Sequence, residues 1–197
     1  MNRFDIVVTR FDNITWQEHT RWMNRTDFHG CIYSSEFGMA QTIRHKQPLF
    51  VLEMNNSTNR IQGFGIIRNQ PSMKKYNKYA NQYYSRYQYV GTHRIDVSTA
   101  TPHEQQFIWI LEHLIFHGRG HIKRGCGISR FPPRWVLNRT ICIKSCIAEM
   151  FFTRDIMCEF TKPSPRPRPR LVRATTQRPV SHTKIVSCGK ISPLPTI

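Results

Sequence analysis

The sequence predicts an α+β domain over residues 1–162, followed by an extended basic tail over 163–197. The domain is expected to be a compact, curved, mainly antiparallel sheet or small barrel with two or three helices. Three observations carry this. Segments of strand composition stand before and after two amphipathic helical patterns, which favours segregated layers over regular α/β alternation. LFVLEM (49–54) and RIQGFGIIR (60–68) are apolar, β-rich runs around the polar turn NNSTN, the pattern of a hairpin. The composition breaks near Lys162, after which seven basic residues and seven prolines occur without one acid.

The elements follow in order. FDIVVTRF (4–11) has strand composition. Thr15-Trp-Gln-Glu18 matches a capping box, and the helix it opens would carry Trp16, Trp22 and Met23. These two tryptophans are six residues apart, about 120° around a helix, so one is expected in the core and Trp16 at the surface. After the hairpin, RYQYV (86–90) alternates and Gly91 ends it, with HRIDV (93–97) continuing the sheet. Thr101-Pro-His-Glu104 supplies a cap, a proline at the first helical position and a glutamate three after the cap. Phe107, Ile110, Leu111 and Leu114 then recur at helical spacing and Gly118 closes the helix. ICIKSCIAEMFF (141–152) is apolar enough for strand or helix, and a strand is favoured. In the tail, alternating Pro-Arg holds the chain extended, with Arg166, Arg168, Arg170 and Arg173 as its cations, disordered or laid along a partner.

Charge is the strongest functional signal. Lys and Arg number 29 against 12 acids, a net +17, and removing the tail leaves +10 on residues 1–162. Such an excess points to a polyanionic partner, nucleic acid above all. The first residues, MNRFDIVVTRF, lack the apolar run of a signal peptide, and no apolar run reaches membrane-spanning length. The six cysteines are therefore expected to be reduced thiols in a cytoplasmic or nuclear setting, not a disulfide framework.

FHGRGHIKRGCGISRFPPRWV (116–136) raises three chemistries at once. As a metal site it fails, because Gly118 and Gly120 break the helix between His117 and His121, and Cys142 and Cys146 lie off any zinc spacing. As a catalytic loop it lacks an orienting acid, since none occurs between Glu112 and Glu149. No catalytic residue, metal or cofactor is therefore expected. As an anion-binding loop its residues work together. Arg119, Lys123, Arg124, Arg130 and Arg134 supply charge, and the glycines let backbone amides approach phosphate. The alternative is a solvated basic loop with no ligand.

MKKYNKYANQYYSRYQYV (73–90) holds six of the seven tyrosines among Lys74, Lys75, Lys78 and Arg86. Aromatic faces stack bases while cations hold the backbone. Tyr76, Tyr79 and Tyr83, in the more polar half, are the expected stacking residues, whereas Tyr87 and Tyr89 suit a half-buried sheet face.

Two resemblances add to this reading. The series TWQEHTRW, LFVLEMNNSTNRIQGFGIIRN, YYSRYQYVGTHRI and HIKRGCGI resembles, over residues 4–136, an uncharacterised protein family of nucleocytoplasmic large DNA viruses, which implies no established activity. The order FDIVVTRF, helix, then LFVLEMNNSTNRIQGFGII is similar to the opening of YTH and EVE domains. That second resemblance implies a PUA-like fold that binds RNA or modified bases. It makes Trp16 and Trp22 candidate walls of an aromatic pocket, with Trp16 the stacking candidate. Together these expectations describe a non-enzymatic nucleic-acid-binding protein of host cytoplasm, nucleus or virion. The rival is an internal capsid or cement protein whose tail threads between neighbouring capsid proteins.

Overall fold

A computed structural model describes residues 4–136 and 142–154. Arg166, Arg168, Arg170 and Arg173 lie outside the described residues, as does the side chain of Arg134.

The main sheet has five strands: β1 (Asp5–Phe11), β3 (Pro48–Asn55), β4 (Arg60–Arg68), β6 (His93–Asp96) and β7 (Ser129–Arg130), in the order β6-β4-β3-β1-β7. It is mainly antiparallel, but β1 and β3 run parallel, with Val7 opposite Val51. Parallel neighbours need a crossover, and α1 (Asn13–Thr26) with β2 (Cys31–Ser35) provides it. β2 pairs with β5 (Tyr87–Gly91) in a separate two-stranded sheet, Tyr33 opposite Tyr89. The strands do not close into a barrel, which corrects that alternative. HRIDV does extend the sheet, but through β4 and not through RYQYV, which joins the small sheet instead.

Both faces of the main sheet are covered, so β3 reads as one apolar run. Ile6, Val8, Phe50, Leu52, Met54, Phe64 and Ile66 pack under the two helices α2 (Pro102–Phe116) and α4 (Ile143–Phe152). On the other face, Val7, Phe11, Leu49, Val51 and Ile67 meet Cys31, Tyr33, Tyr79 and Tyr89. A four-residue helical turn, α3 (Pro133–Val136), precedes α4.

α2 forms as its capping signal predicts. Thr101 Oγ1 accepts from the Glu104 amide at 3.3 Å, and the Glu104 carboxylate accepts from the Thr101 amide at 2.7 Å. Arg154 also forks onto Glu104 at 2.6 and 2.9 Å, tying the end of α4 to the start of α2. The Arg154 fork holds the Glu104 carboxyl down at about 2. Thr101→Ala is expected to cost about 1 kcal/mol and to lower the thermal midpoint by about 2–4 °C. A midpoint within 1 °C of wild type, roughly the scatter of such scans, would show the cap to be dispensable.

Two helical assignments depart from expectation. α1 starts at Asn13 with Asp12 as its cap, not Thr15. Asp12 Oδ1 accepts from the Thr15 amide at 2.7 Å, and Thr15 Oγ1 accepts from the Asp12 amide at 3.0 Å. Glu18, the expected partner in the later box, accepts instead from the Ala80 amide at 3.3 Å. Residues 143–152 are a helix, not a strand. Ile143, Ile147, Ala148, Met150 and Phe151 bury one face of it against the sheet, a spacing that a strand could not present to one side.

A polar network lies inside the small-sheet face. Glu53 is fully buried and accepts from Tyr33 Oη at 2.7 Å and from Arg94 Nε and Nη2 at 2.9 and 2.7 Å. Arg94 also donates to Asp96 at 2.7 Å. The two glycines of QGFGI make room for this network. A Cβ at Gly63 would sit 2.6 Å from Glu53 Oε2 and 2.8 Å from Arg94 Nη2, and one at Gly65 would overlap the Tyr33 hydroxyl.

Candidate nucleic-acid interface

β1 carries one charged residue near its end, Arg10, and the Gly-rich loop is built on it. Arg10 Nε donates to the Ile122 carbonyl at 3.0 Å and Nη1 to Ser129 Oγ at 2.9 Å. The Asn56 side-chain amide donates to the Lys123 carbonyl at 2.9 Å, and the Ile122 amide donates to the Ile115 carbonyl at 2.9 Å. The loop is thereby fixed at both ends against β1, the 55–59 turn and α2. Gly125 and Gly127 adopt φ of +118° and +63°, and a Cβ at Gly127 would overlap Ser35 Oγ.

Between this loop, the ends of β1 and β2 and the start of α1 lies a cleft of about 240 Å³. Arg10, Ser34, Asn56, Tyr79, Tyr84 and Cys126 are among its walls. Among the described residues no carboxylate pairs with Arg10, and burial lowers its pKa. An unpaired, partly desolvated guanidinium favours an incoming anion. Among the described residues Ser34 Oγ and Asn56 Oδ1 are buried without a hydrogen-bond partner, the state that a bound polar ligand relieves. The N-terminus of α1 also faces the cleft, but Asp12 already occupies its amides. The Thr15 amide, before any other group, holds that carboxyl below the usual carboxylate range.

The basic residues divide by position. Arg119 and Arg124 are exposed and Lys123 is half-buried; the loop lines the cleft itself through Gly125, Cys126 and Gly127. Arg130 sits on β7 and pairs with Asp5 at 2.7 Å, so part of its charge is spent inside the protein.

The tyrosine-rich segment is packed more deeply than its polarity suggests. Tyr79 is 9% exposed and Lys78 5%, so neither is the open platform or backbone contact expected of it. Tyr79 joins the core beneath the cleft. Lys78 Nζ donates to the Ile32 carbonyl at 2.8 Å and lies 3.2 Å from His19 Nδ1. Tyr76 packs edge-on against Trp22 and Phe28, fastened by Gln88, whose side-chain oxygen accepts from the Tyr76 amide at 2.8 Å. Tyr83 is exposed, as are Lys74, Lys75 and Arg86. Lys74 lies 5.1 Å over the Tyr76 ring, and Lys75 donates to the Arg86 carbonyl. Tyr84, not singled out in the sequence, is the exposed tyrosine that reaches the cleft.

Trp22 is core at 7% exposure and Trp16 is half-buried, in the expected order. Trp16 stacks on His19, meets Phe11 edge-on and lies under Arg94 at 5.8 Å. Among the described residues, no tyrosine lines the depression beside it. Its own depression of about 300 Å³ runs over His19, Met23 and Arg94, whereas Tyr79 and Tyr84 line the cleft beside the Gly-rich loop. Of the two candidate walls it is Trp22 that meets a tyrosine, packing edge-on against Tyr76.

The sequence pattern missed Arg10, Ser34 and Asn56, which come from three separate segments. The arginine near the end of β1, after the apolar Ile6–Val8 run, was the one available signal. Comparisons with protein-family models, with curated proteins and with solved structures find no match.

Proposed function

We propose that the chain is a non-enzymatic nucleic-acid-binding protein. In this reading a nucleotide of a single-stranded segment enters the cleft while the basic loop holds adjacent phosphates. The observation that carries it is Arg10, an unpaired guanidinium fixed under a glycine loop and beside two orphaned buried polar atoms. Tyr84, 44% exposed at the cleft, offers a ring for stacking. The PUA-like analogy belongs to the same reading, with Tyr84 taking the stacking role expected of Trp16. In the viral setting that the sequence resemblance implies, the ligand is viral or host DNA or RNA.

The experiment is a salt titration of oligonucleotide binding. The triple variant Arg119→Ala, Lys123→Ala, Arg124→Ala is expected to flatten the log–log salt dependence by about 0.7 for each single-strand phosphate that it no longer neutralises, up to three. An unchanged slope at unchanged stability would remove the loop from the interface.

A further inference from the structure

A cationic depression lies at the far end of the strand that borders the cleft. Asp5, Val7, Thr9 and Phe11 share one face of β1, since strand side chains alternate. Thr9 and Phe11 border the cleft, while Asp5 borders a separate depression of about 550 Å³ at the other end of the same strand. Six residues of strand separate the two ends by about 20 Å. Arg44, His45, Lys46 and Arg130 line the far depression. Its one acid, Asp5, is already met by Arg130 at 2.7 Å and Lys144 at 3.8 Å.

The segment 36–48 connects the two sites and is fastened throughout. Glu36 borders the cleft and Thr42 the far depression. Between them Phe37 is 55% exposed, yet its backbone is pinned: Ser35 Oγ donates to the Phe37 carbonyl at 2.6 Å and accepts from its amide at 3.2 Å. The Met39 amide donates to Tyr89 Oη at 3.1 Å, and Ile43 is anchored in the core. The cationic turn is held by Asn69, whose side chain donates to the Ile43 carbonyl at 2.8 Å and whose carbonyl accepts from the Lys46 amide at 2.9 Å. Lys46 takes a left-handed φ of +62°, a conformation that an L-residue keeps only when its surroundings impose it.

Resting on the nucleic-acid reading above, we infer that the segment 36–48 is a second binding ledge that carries the strand away from the cleft. Phe37 stacks a base, and Arg44 and Lys46 take phosphates at the Asp5 end of β1, about 17 Å from Arg10. Aromatic and cationic groups held on a fixed backbone are what single-strand binding uses, with sites spanning about 4–16 nucleotides. A strand confined to the cleft would not reach the ledge, whereas a longer one would.

The test uses the full chain and two homopolymeric single-stranded oligonucleotides, one of four nucleotides and one of twelve. Arg44→Ala with Lys46→Ala is expected to weaken the twelve-nucleotide ligand by on the order of tenfold at low salt and reduce its salt slope by about 1.4. Phe37→Ala is expected to weaken the same ligand by on the order of tenfold. Neither change should alter binding of the four-nucleotide ligand. Arg21→Ala with Arg25→Ala, on the exposed face of α1, removes the same charge elsewhere. An equal loss in that control, or an unchanged twelve-nucleotide slope in the ledge variant, overturns the ledge. If the ledge variant loses binding to phosphatidylserine vesicles while its oligonucleotide binding is intact, the ledge is a membrane contact and the inference falls. If wild type binds neither oligonucleotide, the nucleic-acid reading itself fails.

Discussion

Replacing Glu53 by alanine is expected to cost the domain about 3–5 kcal/mol, the usual penalty for removing one partner of a buried ion pair. Glu53 is fully buried, and its partner Arg94 has a side chain only 16% exposed. The substitution removes the buried partner of the Arg94 guanidinium, leaving it the half-exposed Asp96, and takes from the Tyr33 hydroxyl the carboxylate to which it donates. It also opens space against Gly63, whose missing side chain accommodates Glu53 in the native packing. A loss of this size is at least about a fifth of the stability of a typical domain, roughly 5–15 kcal/mol. Urea denaturation of the purified chain measures it, and a loss below about 1 kcal/mol, the value of an exposed pair, would show the network to be incidental.

The second large effect is a stability that rises with pH just above neutrality. Burial lowers the Lys78 pKa to about 7, and burial, with the charges of Lys78 and Arg94, drives His19 well below its ordinary value. An unfolded lysine titrates near 10.4. Above about pH 7 the unfolded chain therefore binds more protons than the folded one, and stability increases with pH. The gain approaches roughly 1 kcal/mol per pH unit. Its window closes above about pH 8.5, where an unfolded cysteine begins to ionise. Burial pushes the Cys31 thiol up to about 12 in the fold and raises Tyr33 and Tyr79 as well, so these groups act in the opposite sense. Below neutrality His19 has the same sign as Lys78, and acid weakens the fold. Lys78→Met should stabilise the domain at pH 7 and flatten the rise, read from urea midpoints at about pH 7 and 8.5. Equal slopes in the variant and wild type would remove Lys78 as the cause.

Local signals in the sequence are legible where they are complete. The Thr101–Glu104 box with its helix, the hairpin over 49–68 and the strand at 87–91 each carry start, periodicity and stop within one contiguous stretch. The failures have physical causes. α4 has no side-chain cap at Cys142, so nothing announces a helix, and its isoleucines suggest β structure. TWQE matches the full box pattern, yet the cap is Asp12, three residues earlier, with Thr15 in place of the usual acid or amide at the third helical position. β2, five residues long, has too little pattern to stand out. Lys78 and Tyr79 look solvent-facing because the groups that bury them, His19 and Ile32 for the lysine, lie 46–59 residues away. The basic loop is legible because its glycines and cations are contiguous. The cleft beside it is not, since its walls come from β1, β2 and the 55–59 turn.

The pairing of β7 with β1 has a consequence for how the domain is made. Val7 opposes Arg130 and Val8 opposes Ser129, and the Phe131 amide donates to the Ile6 carbonyl at 2.9 Å. The outer edge of the first strand is therefore completed by residues more than a hundred positions later. At about 5–20 residues per second, a nascent chain spends many seconds with that edge open. An open edge is a template for pairing with another chain, so the interval before residue 131 emerges is when this protein is most exposed to misassembly. Because the Gly-rich loop leads directly into β7, closing the edge and setting the loop over Arg10 are one event, and the cleft exists only once that late step is complete.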